Sequence, residues 1–400
     1  MRSLEPKLAS AAVTASALVL LAAYLRIRPA LIRPPSDTAP KPPARSPRWR
    51  LPLEEGVLPP RHPYPLDLLP GGRDVETPYG FLRVYEWGSE DGQKVLLLHG
   101  IGTPCPALGE MARELVERGY RVMLFDFFGR GYSDAPTDLP YDARLYVTQI
   151  HLALASSPLA WSGANAFHLI GYSLGGAVAA SFARYHPHAV RSLVLVTPGG
   201  LIRSHHVSRT SRLLYSEGVL PEPLLRRLVR RRLEPRPSSP PSGGGGTGDG
   251  GQASSEFDDA VIDPSRPGLR VADLMEWQLR RHPGFVPAYR STLRHTPIYD
   301  QGDAEWKPLR GILAARRQKG AVGEGSKLPG LTGGRICFVL GETDSISVPE
   351  EIGEDAKRVL GDEAVVIEVV KGAGHEVGIT RGRDVAGLAV EFWMSSEQAT

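Results

Sequence analysis

Phe167-His168-Leu169-Ile170-Gly171-Tyr172-Ser173-Leu174-Gly175-Gly176-Ala177-Val178-Ala179-Ala180 decides how the chain is read. Its first four residues form a short apolar run of the kind found in strands buried on both faces. Its last five, rich in alanine, open a helix. Between them Gly171-Tyr172-Ser173-Leu174-Gly175 fits G-x-S-x-G, a sharp strand-to-helix turn that exposes a serine hydroxyl. Such a turn is crowded, and glycines leave room where side chains flanking the serine would not fit. The pentapeptide alone is a weak signal in a chain with 44 glycines; the strand before it and the helix after it supply the context. A helix N-terminus also favours negative charge developing beside the serine.

Outward from this turn, strands alternate with helices from about residue 73. Residues 95–98, 122–125, 193–196, 336–340 and 364–370 are further short apolar runs, and 107–118 and 177–185 read as helices. The fold class is therefore α/β: a mostly parallel central sheet with helices on both faces. The alternation breaks at 201–330, which reads as an inserted helical lid. Within it, residues 235–255 are Gly/Ser/Pro-rich and predict a disordered loop. The core is thus split into 73–200 and 331–400. In the lid, Leu224, Leu225, Leu228, Val229 and Leu233 alternate with Arg226, Arg227, Arg230, Arg231 and Arg232. A basic amphipathic helix of this kind suits either a membrane interface or packing onto the sheet domain.

A serine is a poor nucleophile until a base takes its proton, and that base needs a third group to orient it. His375 stands in a loop, Lys371-Gly372-Ala373-Gly374-His375-Glu376, directly after the last strand and late in the chain. Other histidines are worse placed: His168 lies within a strand, His186 and His188 follow the elbow helix, and His205 and His206 lie in the lid. For the acid, the loop after 336–340 reads Gly341-Glu342-Thr343-Asp344-Ser345, and Asp344 is preferred with Glu342 second. Active-site groups collect at the carboxyl ends of parallel strands. The preceding strand is followed by Thr197-Pro198-Gly199-Gly200, which offers no acid. An oxyanion needs aimed donors. Leu174 supplies one N–H, and Ile101 in His99-Gly100-Ile101-Gly102-Thr103 is the expected second, with His99 bracing the loop.

The His99-Gly100 loop, Asp126-Phe127-Phe128-Gly129-Arg130-Gly131-Tyr132-Ser133, the elbow, Asp344 and His375 follow the order seen in the α/β-hydrolase superfamily. Over roughly residues 73–395 the chain resembles the capped branch containing monoacylglycerol lipases, esterases and carbon–carbon bond hydrolases. Membrane-anchored monoacylglycerol lipases are similar in also carrying an N-terminal hydrophobic segment. The resemblance implies an α/β-hydrolase fold and a Ser173–His375–Asp344 triad without a cofactor. It favours hydrolysis of carboxylic, lipid-like esters through an acyl-enzyme on Ser173. A carbon–carbon bond hydrolase with the same triad, or a non-catalytic binding protein on this fold, is the alternative. Epoxide hydrolases and haloalkane dehalogenases of this fold need an aspartate where Ser173 stands.

The remaining sequence bears on partners and place. Net charge is +3 over 400 residues, too little to argue for nucleic acid. Cys105 and Cys337 cannot form a disulfide framework or a zinc site, no cluster has metal-ligand spacing, and Asn165, the only asparagine, is in no glycosylation sequon. Residues 1–50 carry nine Lys/Arg against Glu5 and Asp37, beside an uncharged run at 8–25 that just reaches bilayer-spanning length. The run exceeds a usual signal core and ends in a poor cleavage context, so residues 1–28 are expected to be a retained single-pass anchor. Basic residues after it place the globular part in the cytosol and point to a membrane surface as partner. Residues 29–72 are Pro-rich and predict an extended, semi-rigid linker.

Overall fold

The computed structural model describes residues 14, 16–19, 40–50, 62–215, 221–235, 255–318 and 330–398. The chain divides into two units, residues 1–41 and 42–400. In the first, Thr14 and residues 16–19 are helical, with Leu18 and Val19 exposed. Most of the expected anchor at 8–25 lies outside the described residues. Among the described residues no helix is long and apolar enough to cross a membrane.

The second unit is built on an eight-stranded sheet: β1 (Gly72–Thr77), β2 (Gly80–Gly88), β3 (Lys94–Leu98), β4 (Arg121–Phe125), β5 (Phe167–Tyr172), β6 (Val190–Val196), β7 (Ile336–Gly341) and β8 (Val365–Val370). Their spatial order is β1-β2-β4-β3-β5-β6-β7-β8. Strands β3 to β8 run parallel, whereas β2 is antiparallel to both β1 and β4. The hairpin β1–β2 stands outside the purely apolar pattern. Arg83 and Glu86 are buried in β2, paired with Asp74 and with Arg73 and Arg121 respectively, and these charges disguise the strand in the sequence. Strand β8 also departs from expectation. It is an edge strand, half-buried along its length with Val369 exposed, and begins at Val365 after a short 3₁₀ turn.

Side chains alternate across a strand, so each parallel strand feeds two cores. Val95 and Leu97 join one core with Leu115 of helix Gly109–Glu117 and Phe392 of helix Gly382–Gln398. Leu96 and Leu98 join the other with Ile150 of helix Ala143–Ala155, Phe182 of helix Leu174–Tyr185 and Ile352 of helix Pro349–Leu360. Because β4 and β5 lie on opposite sides of β3, the loops after β3 and β5 open a crevice at the carboxyl ends of the strands.

Two expectations need correction. Helix Lys307–Arg317 belongs with the sheet rather than the lid, because Leu309 and Leu313 are buried in the same core as Phe338 and Phe182. The inserted block therefore ends short of residue 330. The described parts of the Pro-rich stretch are not a free spacer. Ala44 and Ala135 exchange two backbone hydrogen bonds, and the buried Asp134 carboxylate accepts from Ser46 N–H (2.7 Å) and Trp49 Nε1–H (3.0 Å). Further along, the fully buried Tyr64 donates to Asp126 at 2.9 Å. Proline content hid these few anchoring side chains. Of the two readings left open for helix Glu222–Leu233, packing fits the structure, since Leu225, Val229 and Leu233 are buried in the core that includes Leu274 and Phe285. Its arginines flank a packed lid helix.

Candidate active site

Ser173 occupies the turn between β5 and helix Leu174–Tyr185 with φ 52° and ψ −115°. A non-glycine residue there stores strain of about 1–3 kcal/mol, which the surroundings must hold. They do so by hydrogen bonds from Ser173 N–H to Val196 O (3.0 Å) and from Gly176 and Gly199 N–H to Ser173 O (2.9 Å each). The flanking glycines are sterically required. A Cβ on Gly171 would lie 2.3 Å from Gly175 O, and one on Gly175 would lie 2.2 Å from Leu98 O.

His375 reaches this serine from the loop after β8. Its Nε2 lies 3.0 Å from Ser173 Oγ, and its Nδ1 lies 2.8 Å from Asp344 Oδ2. Tyr172, beside the serine, donates its hydroxyl to His375 O at 2.9 Å and so ties the two loops together. Asp344 follows β7, and its other oxygen accepts from Ile346 N–H (2.7 Å) and Ser347 N–H (2.9 Å). Burial pushes the Asp344 carboxyl up, but His375 and these two N–H groups outweigh it and hold it below its ordinary value. Burial pushes His375 down, and the Asp344 carboxylate overrides this, raising the imidazole above its ordinary value. Glu342 faces elsewhere, accepting from Gly372 N–H at 2.9 Å.

The loop after β3 lies against the elbow, with Gly175 N–H donating to His99 O at 3.1 Å. Phe127 N–H donates to His99 Nε2 at 2.8 Å, so the proton sits on Nδ1, which donates to Gly100 O at 2.7 Å. Burial pushes His99 down to about 3, keeping this brace neutral. The N–H groups of Ile101 and Leu174 meet no acceptor among the described residues. Two lid residues approach the site. The ring of Phe257 lies 6.3 Å from that of His375, and Met275 Sδ would lie 3.2 Å from a Cβ on Gly102.

Residues 94–219 match the model of the α/β hydrolase fold family. With an eight-stranded, mostly parallel sheet and this strand order, the fold is settled. The chain is an α/β hydrolase in fold. It is 33% identical over 115 residues to Lipase 1 of Psychrobacter immobilis, covering 29% of this chain and 34% of that protein. It is 32% identical over 129 residues to a serine hydrolase-like protein of Danio rerio, covering 32% of this chain and 38% of that one. The match thus spans little more than a third of the length of these two relatives. Among solved structures, an esterase from Rhodococcus sp. superposes with a TM-score of 0.52 at 19% identity, covering 82% of this chain and 99% of that one.

The other histidines of the chain stand apart from Ser173. His168 is buried between Ser192 and Gln93 and stacked on Trp393, and His186 meets His151 at 3.1 Å. His205 and His206 converge with Glu351, their ligating atoms within 4.8 Å of one another. Sequence spacing gave no hint of that cluster, because Glu351 lies on helix Pro349–Leu360, far along the chain. Arg203 also approaches Glu351, at 3.8 Å, and opposes a cation there. A groove of about 480 Å³ in the lid, lined by Val207, Tyr215, Leu293 and Tyr299 among others, includes none of Ser173, Asp344 and His375. Gln278 and Arg130, which hold the loop carrying Ile101, were not singled out by the sequence. Their partners in that loop are the Ile101 and Gly102 carbonyls, which leave no mark in composition or periodicity.

Proposed function

We propose that the protein hydrolyses carboxylic esters of lipid-like acids through an acyl-enzyme on Ser173. The observation that carries this reading is the continuous relay from Ser173 Oγ through His375 to Asp344, at 3.0 and 2.8 Å, on a strained elbow. Ser173 Oγ attacks the ester carbonyl while His375 Nε2 takes its proton. The imidazolium is stabilised by Asp344, and the Ile101 and Leu174 N–H groups receive the oxyanion. Collapse of the tetrahedral intermediate expels the alcohol, protonated by His375. Water then attacks the acyl-enzyme by the same relay and releases the acid, restoring Ser173. Apolar Ile101, Phe257 and Met275 around the site favour an acyl chain over a charged group. The basic N-terminal region and the apolar run at 8–25 support delivery of such substrates from a membrane surface.

The test is labelling of Ser173 by a fluorophosphonate, followed by turnover of esters of graded acyl length. Ser173→Ala and His375→Ala should each remove turnover, with losses approaching about a millionfold as in comparable triads. If Ser173→Ala keeps more than about a thousandth of the activity, Ser173 is not the nucleophile.

A further inference from the structure

The loop that carries Ile101 is clamped at three consecutive carbonyls. Gly100 O accepts from His99 Nδ1–H at 2.7 Å, Ile101 O from Arg130 Nε–H at 3.1 Å, and Gly102 O from Gln278 Nε2–H at 2.9 Å. In a trans peptide the C=O and N–H point in opposite directions, so the clamp on Gly100 O aims the Ile101 N–H directly, while the clamps from Arg130 and Gln278 fix the two peptides that follow it and keep the loop in place. His99 and Arg130 belong to the sheet domain. Gln278 does not: it lies on lid helix Val271–Arg281.

Gln278 is fully buried, and both ends of its amide bind backbone. Its Oε1 accepts from Gly131 N–H at 2.9 Å while its Nε2 donates to Gly102 O, so its partners fix the orientation of the amide. Arg130 lies between the two contacts and is itself held by the lid, donating to Thr292 Oγ1 at 2.9 Å on helix Phe285–His295. Two lid helices therefore reach the loop, one directly and one through Arg130. Packing alone would be satisfied by an apolar side chain of this size. An amide is needed to bind a carbonyl and an N–H at once, and the carbonyl belongs to the loop beside Ser173.

We propose that Gln278 is a positioning residue for the oxyanion loop, making correct seating of the lid a condition for the Ile101 N–H to face the carbonyl on Ser173. This rests on the acyl-enzyme reading above. It differs from a general stabilising role in what it predicts: the loss should fall on the transition state and spare ground-state binding.

The experiment compares full-length wild type, Ser173→Ala and Gln278→Met on a soluble short-chain ester, with inhibition by a trifluoromethyl ketone, which adds to a serine as a tetrahedral oxyanion. Wild-type turnover that Ser173→Ala abolishes establishes the acyl-enzyme reading by itself; its absence overturns both proposals. Removing one oxyanion donor outright costs about 10²–10³ in kcat, and misaiming one through Gln278→Met should cost about 10–10², with KM nearly unchanged. The inhibition constant of the ketone should rise by the same factor as kcat/KM falls. Gln278→Leu likewise offers Gly102 no donor and brings no ionisable group into this buried position, so it should lose kcat as the Met variant does. It serves as the measurement if Gln278→Met does not fold. A folded variant with wild-type kcat, or a loss confined to KM with unchanged ketone affinity, overturns the proposal.

Discussion

Asp344 meets His375 through only one of its two carboxylate oxygens: Oδ2 lies 2.8 Å from Nδ1, while Oδ1 is filled by the Ile346 and Ser347 N–H groups. The Asp344 carboxylate is thus oriented by backbone N–H groups as well as by the imidazole. The Asp344 carboxyl is depressed below 3.8, so its pairing stabilises the fold above that value and is lost as pH falls through the lower folded one. His375 is raised above 6.5, so its pairing is complete below that value and lost as pH rises through the higher folded one. Catalysis needs the neutral imidazole. The acid limb of kcat/KM should therefore have its midpoint above 6.5. In Asp344→Asn, burial is left to act on His375, and the limb should move below that of the wild type. An unmoved limb would mean that another group sets it.

The same contacts separate Asp344 from Glu342. Glu342 accepts from Gly372 N–H at an exposed position and has no hydrogen bond to His375. Asp344→Asn should lower kcat by about four orders of magnitude, as neutralising the acid does in a serine protease. Glu342→Gln retains an acceptor for Gly372 and should leave kcat nearly unchanged. Steady-state kinetics of the two variants decide the matter, and a dominant effect at Glu342 would transfer the role.

Expression of the full chain and alkaline carbonate extraction test the N-terminal region. With residues 8–25 acting as an anchor, the protein should stay in the membrane pellet, and deletion of residues 1–28 should release it. N-terminal sequencing distinguishes the rival, because a mature chain beginning near residue 30 would mark a cleaved signal. Protease added to sealed vesicles gives orientation: digestion of the exposed hydrolase unit agrees with the cytosolic expectation, and full protection contradicts it.

Much of this architecture was legible because its determinants are local. Strands β3 and β5, buried on both faces, are short and mostly apolar, and the Gly171-x-Ser173-x-Gly175 pattern stands directly after one of them. Asp344 and His375 could be chosen because each follows a strand at the active end of the sheet. What escaped depends on pairing across the chain. Strand β2 carries Arg83 and Glu86 inward because Asp74, Arg73 and Arg121 meet them, and the Pro-rich stretch is held through Trp49 and Tyr64 by the buried Asp134 and Asp126. Gln278 and Gly102 lie 176 residues apart. Trp49 and Asp134 are 85 residues apart and Tyr64 and Asp126 are 62, so no short window of sequence contains these pairs.

The lid helix offers a stability comparison. Leu225 is 1% exposed and Leu224 is 44% exposed on the same helix. Leu225→Ala should destabilise by about 2–5 kcal/mol through lost burial and a residual cavity. Leu224→Ala should stay within about 0.5 kcal/mol, as surface substitutions do. Urea denaturation measures both. Equal, small effects would mean that the leucines are not packed, returning the helix to a membrane-facing role.

Two glycines near the triad separate steric need from conformational need. At Gly175 a Cβ would lie 2.2 Å from Leu98 O and 2.9 Å from His99 O, both backbone atoms at the root of the oxyanion loop. Neither can swing aside like a side-chain tip, so Gly175→Ala must push that loop away from the elbow. Overpacking of this kind costs about 1–3 kcal/mol or more. A displacement near 1 Å in the site should lower kcat by about a hundredfold. Gly372 also precedes the base, at φ +64°, but a Cβ there meets nothing within 4 Å. Gly372→Ala should therefore cost only the left-handed backbone penalty, about 1–2 kcal/mol, with kcat close to that of the wild type. Thermal unfolding and ester kinetics on the two variants read both quantities. If Gly175→Ala keeps wild-type kcat, the loop after β3 tolerates displacement, and the Ile101 N–H is not the donor on which turnover depends.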